Sequence, residues 1–221
     1  MENKLKLKAE NQINNYNKLK RSIDIILSTL GIIILSPVFL IISIIIKLES
    51  EGPIIFKQLR AGKDSKPFYI YKFRSMKADA PNLSTNEFED VNLFITKIGK
   101  FIRRTSIDEL PQLINILKGD MSIVGPRPVI LDEKELILLR KEYNIDSILP
   151  GITGLAQING RDIIGTEEKV KLDYEYLKNK SLNLDVKIVF ITIFKVLRKS
   201  DIKKKYNKEA VLNTITLGQP L

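Results

Sequence analysis

Ile25-Ile-Leu-Ser-Thr-Leu-Gly-Ile-Ile-Ile-Leu-Ser-Pro-Val-Phe-Leu-Ile-Ile-Ser-Ile-Ile-Ile46 runs without a charged residue and is mostly Ile and Leu. As a straight helix it reaches about 33 Å at about 1.5 Å per residue, matching a hydrocarbon core of about 30 Å. It is too long for a cleaved signal peptide, and no small-residue cleavage site follows it. Ser36-Pro37 sits at its midpoint. There the proline removes a helical hydrogen bond and forces a kink, and Ser36 can satisfy a freed carbonyl. Lys4, Lys6, Lys8, Lys18, Lys20 and Arg21 precede the segment, and Lys47, Lys57, Arg60, Lys63 and Lys66 follow it. The positive-inside rule therefore claims both ends for the cytoplasm. Two readings stand: a kinked spanning helix, or a re-entrant helix-break-helix whose arms of about 17 Å return to the face they entered.

Outward from this segment the 221-residue chain has the length of one ordinary domain, with a formal charge of +10 from 36 Lys+Arg against 26 Asp+Glu. It contains no His and no Cys. That excludes Ser-His-Asp and Cys-His catalysis, zinc chemistry and disulfides. An enzyme built from this chain works with carboxylates, Lys, Arg, Tyr or hydroxyls, and a metal it used would be a hard ion such as magnesium, manganese or calcium.

Residues 1–21 read as a basic polar extension without helical periodicity, 22–47 as the membrane segment, 48–200 as a cytoplasmic catalytic domain and 201–221 as a basic C-terminal tail. Ile54-Ile55-Phe56 and Phe68-Tyr69-Ile70-Tyr71 flank the turn-rich stretch Ala61–Pro67 and predict a β-hairpin. Residues 77–92 read as a loop. Leu110, Leu113, Ile114 and Leu117 have helical spacing, stopped by Lys118-Gly119. Further helices are predicted after Asp132, ending near Arg140-Lys141, from Thr166 toward Lys178, and from about Asp185 to Arg198. On the last of these Lys187, Lys195, Arg198 and Lys199 form a basic stripe on an apolar cylinder. It is either the solvated edge of a core helix or a helix snorkelling its lysines toward anionic lipid. The fold class is α+β, mostly helical, with a small hairpin and amphipathic interfacial helices.

The chemistry-bearing stretch is Ser106-Ile-Asp-Glu-Leu-Pro111. Ser106 with Glu109 fits a capping box, and Asp108 could equally cap the helix with Pro111 in its first turn. On that reading both carboxylates are structural. On the other, the helix start keeps Asp108 ionised as a nucleophile toward phosphorus or a magnesium ligand. Cations surround it in sequence: Arg103 and Arg104 before, and Arg127 after, locked between Pro126 and Pro128. That run is either a simple turn or a stiff mount for a guanidinium suited to phosphate oxygens. Alternation in Tyr71-Lys-Phe-Arg-Ser-Met76 places Lys72 and Arg74 on one side of a strand. Pro150-Gly-Ile-Thr-Gly-Leu-Ala-Gln-Ile-Asn-Gly-Arg161 carries three glycines, which read as backbone making room for a ligand, without Rossmann or P-loop spacing.

With these stretches quoted, the chain resembles the bacterial sugar transferases, the small monotopic phosphoglycosyl transferases, over about residues 22–200. The motifs are Ser36-Pro37, Lys72-Phe-Arg-Ser-Met76, Ser106-Ile-Asp-Glu-Leu-Pro-Gln-Leu113, Gly119-Asp-Met-Ser-Ile-Val-Gly-Pro-Arg-Pro128 and Pro150-Gly-Ile-Thr-Gly154. The resemblance implies transfer of a sugar phosphate from a UDP-sugar donor to a polyprenyl phosphate, normally undecaprenyl phosphate, with release of UMP. It places the reaction at the cytoplasmic face of the bacterial inner membrane, bound monotopically. It implies ping-pong kinetics through a covalent phosphosugar on Asp108, with Glu109 its partner and Mg2+ as cofactor, bound by Asp108. Arg103, Arg127 and Arg161 match family arginines and Lys72 a family lysine, and the kink at Ser36-Pro37 matches a re-entrant helix. Leu155 stands where many relatives carry Trp. Anionic membrane lipid is an expected partner and nucleic acid is not; downstream glycosyltransferases and a second copy of the chain remain open as partners. The rival from another class is a non-catalytic basic scaffold at the membrane. Neither the sugar nor the glycoconjugate, whether capsule, O-antigen or glycoprotein, is named by these residues.

Overall fold

The structure, a computed structural model, describes residues 2–77, 80, 93–160 and 163–197, with side chains from Asn14 to Val196. The expected loop at residues 77–92 lies almost wholly outside the described residues, as do Arg161, Arg198, Lys199 and the C-terminal tail.

The first element, α1 (Glu2–Glu49), is one uninterrupted helix with Pro37 inside it. This corrects two expectations: residues 2–21 are helical rather than an irregular extension, and no break divides the segment at Ser36-Pro37. The missing amide of Pro37 frees the carbonyl of Ile33, and the Ser36 hydroxyl donates to that oxygen at 2.8 Å, so the helix passes through without an orphaned acceptor. From Tyr16 onward the polar part of the helix is tied to the domain. Tyr16 Oη and Lys20 Nζ donate to Asp185, and both Arg21 Nη atoms donate to carbonyls of Ile116 and Leu117. These long-range bonds hold a stretch whose own periodicity is weak.

The two ends of the apolar segment are fastened to the same domain. Asp24 accepts from the Ile123 amide at 3.1 Å, and Glu49 accepts from the Lys97 and Ile98 amides at 2.7 and 3.0 Å. Between them one face of the helix packs on protein: Gly31 approaches Leu113, and Ile42 and Ile46 join Phe73 and Ile102 in a buried cluster. The remainder, including Ile26, Ile33, Ile34, Leu40 and Ile41, is exposed. A contiguous exposed apolar face of this kind marks a membrane or partner contact.

The predicted hairpin is present as β1 (Ile55–Ala61) and β2 (Pro67–Phe73), antiparallel with Ile55 opposite Phe73 and Ala61 opposite Pro67. Its turn is built by Asp64 and Ser65, both left-handed at φ 53° and 57°. A short β4 (Val129–Ile130) pairs with the end of β1, giving the order β2-β1-β4. A separate parallel pair joins β3 (Ser122–Val124) to β5 (Gly151–Thr153). Helices α2 (Lys97–Arg104), α3 (Gln112–Lys118), α4 (Lys134–Glu142), α5 (Leu155–Ile158), α6 (Thr166–Asn179) and α7 (Leu182–Leu197) complete the order. The readings for α4, α6 and α7 hold, whereas α2 was not foreseen; Thr96 caps it by accepting from the Gly99 amide at 2.9 Å.

One core cluster gathers Val124, Leu155, Ile158, Leu172, Tyr176 and Ile188 from β3, α5, α6 and α7. Leu155 is thus a core residue, and apolar packing accounts for it. Lys195 on α7 donates to the Ile158 carbonyl, so this member of the basic stripe satisfies the end of α5 instead of standing in an even row with Lys187.

Candidate active site

The carboxylates lie in a single 3-10 turn, Ile107–Glu109, between α2 and α3. Ser106 before it is left-handed at φ 57° and makes no capping bond, and α3 starts only at Gln112, behind Pro111. The expected capping box is therefore absent. Ile107, just before both carboxylates, packs against the Ile42, Ile46, Phe73 and Ile102 cluster, which anchors the turn to α1. Asp108 and Glu109 are both buried.

Two cations converge on Glu109. Lys72 Nζ lies 3.0 Å and Arg127 Nη2 3.2 Å from its Oε1. Burial pushes the Lys72 ammonium below the ordinary lysine range, against the opposing pull of Glu109 and then Asp108, while Arg127 adds to the depression. Asp108 is thus near enough for its charge to act on Lys72. The arrangement is two carboxylates and two cations at one place, drawn from β2, the turn and the segment after β3.

Each arm is positioned by a buried polar group. Strand β2 lies at the sheet edge, and its outer side is taken by the side chain of Asn115: Oδ1 accepts from the Tyr71 amide at 3.0 Å and Nδ2 donates to the Tyr69 carbonyl at 2.7 Å. Asn115 is fully buried on α3, so it locks the strand carrying Lys72 to the helix that follows Glu109. Arg127 is held through its own backbone. Arg140 Nη1 donates to the Arg127 carbonyl at 2.8 Å, while its Nε and Nη2 grip Asp173 Oδ2 at 3.1 and 2.6 Å. Arg140 is buried rather than a solvated cation at the end of α4.

The glycines of the 150–161 stretch have a different task from the one expected. A Cβ on Gly151 would stand 2.1 Å from Gly125 N, and one on Gly154 2.1 Å from Gly125 O. They make room for the Val124-Gly125-Pro126 backbone rather than for a ligand, and the Gly151 amide donates to Pro126 O at 2.9 Å. Pro126 and Pro128 are buried and stiffen this run, leaving Arg127 half-exposed.

The other singled-out residues divide. Arg74 does not reach the carboxylates; it is buried and donates from Nη2 to Ser50 O at 2.6 Å and Ser50 Oγ at 2.9 Å, closing the C-terminal end of α1. It leaves Lys72's side because the strand ends at Phe73. Arg103 sits half-buried in the last turn of α2, beside the carboxylate turn. Asn115, Arg140 and Asp173 were missed in the sequence, where each looks like an ordinary polar helix residue.

A magnesium ion takes one or two protein carboxylates plus substrate phosphates, and Asp108 with Glu109 beside it offers that share. Among the described residues no three acidic or imidazole side chains gather into a closed cage.

The model of the family described as bacterial sugar transferase matches residues 15–199. The chain is 46% identical over 184 residues to the UDP-glucose:undecaprenyl-phosphate glucose-1-phosphate transferase of Escherichia coli (strain K12), covering 80% of this chain and 40% of that protein. It is 40% identical over 200 residues to the UDP-N-acetylgalactosamine-undecaprenyl-phosphate N-acetylgalactosaminephosphotransferase of Aeromonas hydrophila, covering 85% of this chain and 47% of that one. To the uncharacterized sugar transferase EpsL of Bacillus subtilis (strain 168) it is 43% identical over 179 residues, covering 81% of this chain and 87% of EpsL. The chain thus spans less than half the length of the first two relatives and most of the third.

Proposed function

The chain belongs to the bacterial sugar transferase family, and from that premise we propose that it transfers a sugar-1-phosphate from a UDP-sugar to undecaprenyl phosphate. The observation that carries the proposal is the buried Asp108-Glu109 pair with Lys72 and Arg127 on Glu109. A structural pair of carboxylates would serve as helix caps, and Ser106 and Pro111 leave that role unfilled by the expected box.

In the proposed reaction an Asp108 carboxylate oxygen attacks the sugar-bearing phosphorus of the donor. The new O–P bond forms as the bond to the bridging oxygen breaks, and UMP leaves with that oxygen. An oxygen of undecaprenyl phosphate then attacks the same phosphorus, breaks the acyl-phosphate bond and regenerates the carboxylate. Glu109 holds Lys72 and Arg127 in place, and these cations neutralise diphosphate oxygens that would otherwise repel an anionic nucleophile. Magnesium would be held by Asp108 and substrate phosphate oxygens and would draw further charge from the diphosphate.

The membrane arrangement supports a lipid acceptor. A spanning helix would separate Asp24 from Glu49 by the bilayer, yet both are bonded to one polar domain. We therefore read α1 as monotopic, with its exposed apolar face in lipid and the domain on the cytoplasmic face of the bacterial inner membrane.

The test is UMP release from a panel of UDP-sugars by the full chain in detergent, with and without undecaprenyl phosphate. Magnesium-dependent UMP release before any acceptor is added, with one phosphosugar mass gained on Asp108, is expected. Product accumulating with no such adduct under quench would replace the covalent route by direct displacement, and no UDP-sugar turnover at all would favour a scaffold.

A further inference from the structure

A second cation-lined space lies where the polar part of α1 meets the domain. It is a cavity of about 210 Å³ whose walls include Lys20, Asp24, Lys63, Ser122, Tyr176 and Lys180, and none of Lys72, Asp108, Glu109 or Arg127. It has room for several waters, more than a single structural water needs.

Its charges do not balance internally. Lys20 is paired with Asp185 at 2.8 Å, and Arg21, also on the wall, is spent on the carbonyls of Ile116 and Leu117. Lys63, in the hairpin turn, and Lys180, at the end of α6, have no ion pair among the described residues. Burial first, then the charges of Lys63 and Lys20, push the Lys180 ammonium below its ordinary range. Among the described residues Asp24 is the one acid on the wall, and it already accepts from the Ile123 amide. Ser122 is 1% exposed, and its hydroxyl has no hydrogen-bond partner among the described residues. That oxygen is itself closed to solvent, so it lies behind the cavity wall and the site rests on the lysines.

We propose that this cavity binds the phosphate group of a phosphate monoester, with Lys63 and Lys180 meeting its charge. Lysine acts on phosphate as a point charge without the planar geometry an arginine fork requires, which suits a rounded cavity reached from several elements. Because Lys20, Arg21 and Asp24 immediately precede the apolar run at Ile25, the site sits at the edge of the segment read as lipid-bound. Its phosphate can therefore come from a lipid headgroup or from solution. The inference does not rest on the transfer reaction.

The experiment is thermal unfolding of the full chain in detergent against inorganic phosphate, with chloride matched for ionic strength. A saturable rise in Tm is expected. The Lys63→Gln/Lys180→Gln double variant should weaken the apparent Kd at least tenfold, and the single Lys63→Gln, at an exposed turn that does not endanger folding, at least threefold. Arg127→Gln should retain the response, separating this site from the carboxylate site. Dioctanoyl phosphatidic acid, compared with dioctanoylphosphatidylcholine, then identifies the source: tighter binding than inorganic phosphate assigns a headgroup, and equal binding assigns a soluble phosphate. No phosphate response in the wild type, a response unchanged in both lysine variants, or one lost only in Arg127→Gln would overturn the proposal.

Discussion

Glu109 and Asp185 are both buried carboxylates that accept from a lysine, and their surroundings differ in a way that separates the candidate site from a clip. Asp185 takes Lys20 at 2.8 Å and two tyrosine hydroxyls, Tyr176 at 2.7 Å and Tyr16 at 3.0 Å. Burial and the nearby carboxylate push both phenols far above their ordinary range, so these donors do not titrate. One negative charge meets one positive charge, and neutral groups fill the rest. At Glu109 two full cations share one oxygen, and a second carboxylate stands next in sequence. Two buried carboxylates with a lysine and a partly exposed arginine are a poor way to gain stability, since desolvation offsets most of the attraction. The Asp185 cluster fastens α1 to α7; on the proposed function, the Glu109 cluster keeps charge available for a substrate.

The largest effect should come from Asp108→Asn. The amide keeps the shape and removes the nucleophile, so transfer should fall by roughly a thousandfold or more. Tm should stay within about 2 °C of wild type. Transfer retained within tenfold, measured as UMP release, would place Asp108 among the structural groups and erase the contrast with Asp185.

Next comes pH. The Lys72 ammonium is depressed by burial and supported chiefly by Glu109. Activity that needs this charge should fall as pH rises through a value below that of a free lysine, and Glu109→Gln should move that fall to still lower pH. Stability runs the other way. A lysine whose folded pKa is lowered binds fewer protons folded than unfolded between the two pKa values. Its contribution to stability therefore rises with pH through that window, and Lys72→Met should remove the rise. Paired pH profiles of rate and Tm check both signs; an alkaline limb unmoved by Glu109→Gln would detach Lys72 from the site.

Much of this site was legible in the sequence because short-range chemistry marked it. Asp108, Glu109 and Arg127 stand in motifs dense with proline and charge, and Lys72 lies on a strand whose alternation is plain. The hairpin was equally readable, since its turn residues and β-branched flanks act within a dozen positions. What stayed hidden depends on distant partners. Asn115 bonds to a strand 44 to 46 residues earlier, and Arg140 finds Asp173 33 residues later. The glycines at 151 and 154 showed that backbone space was needed but not what would fill it. Pro37 predicted a break, and one hydroxyl at Ser36 was enough to carry the helix through.

An intermediate effect should follow from Arg140→Met. Arg140 touches no reacting group; it fixes the Arg127 carbonyl, so it is a positioning residue. Loosening Arg127 by about 1 Å can cost up to about a hundredfold in kcat/KM. The single variant also strands buried Asp173, which costs about 3–5 kcal/mol. The double variant Arg140→Met/Asp173→Leu should recover Tm close to wild type because apolar groups replace both charges, yet remain slow. A double variant restored in both rate and Tm would make the pair purely structural and Arg127 indifferent to its mount.

The smallest effect on rate, and the sharpest test of the comparison, belongs to Asp185→Asn. An amide oxygen can still accept from Tyr176 or Tyr16, but the charge that holds Lys20 is gone. Loss of a buried charge-assisted bond costs about 1–3 kcal/mol. In a chain of this size each kcal/mol lowers Tm by about 2–4 °C, so a fall of about 2–12 °C is expected. Because this network ties the polar half of α1 to α7 and touches neither Asp108 nor Glu109, UMP release below the new Tm should change less than about twofold. The opposite outcome, unchanged Tm with transfer reduced tenfold, would mean that the docking of α1 is transmitted to the carboxylate turn. The path available for that is the helix itself, which carries both Tyr16 and Ile46, the latter in the cluster against which Ile107 packs.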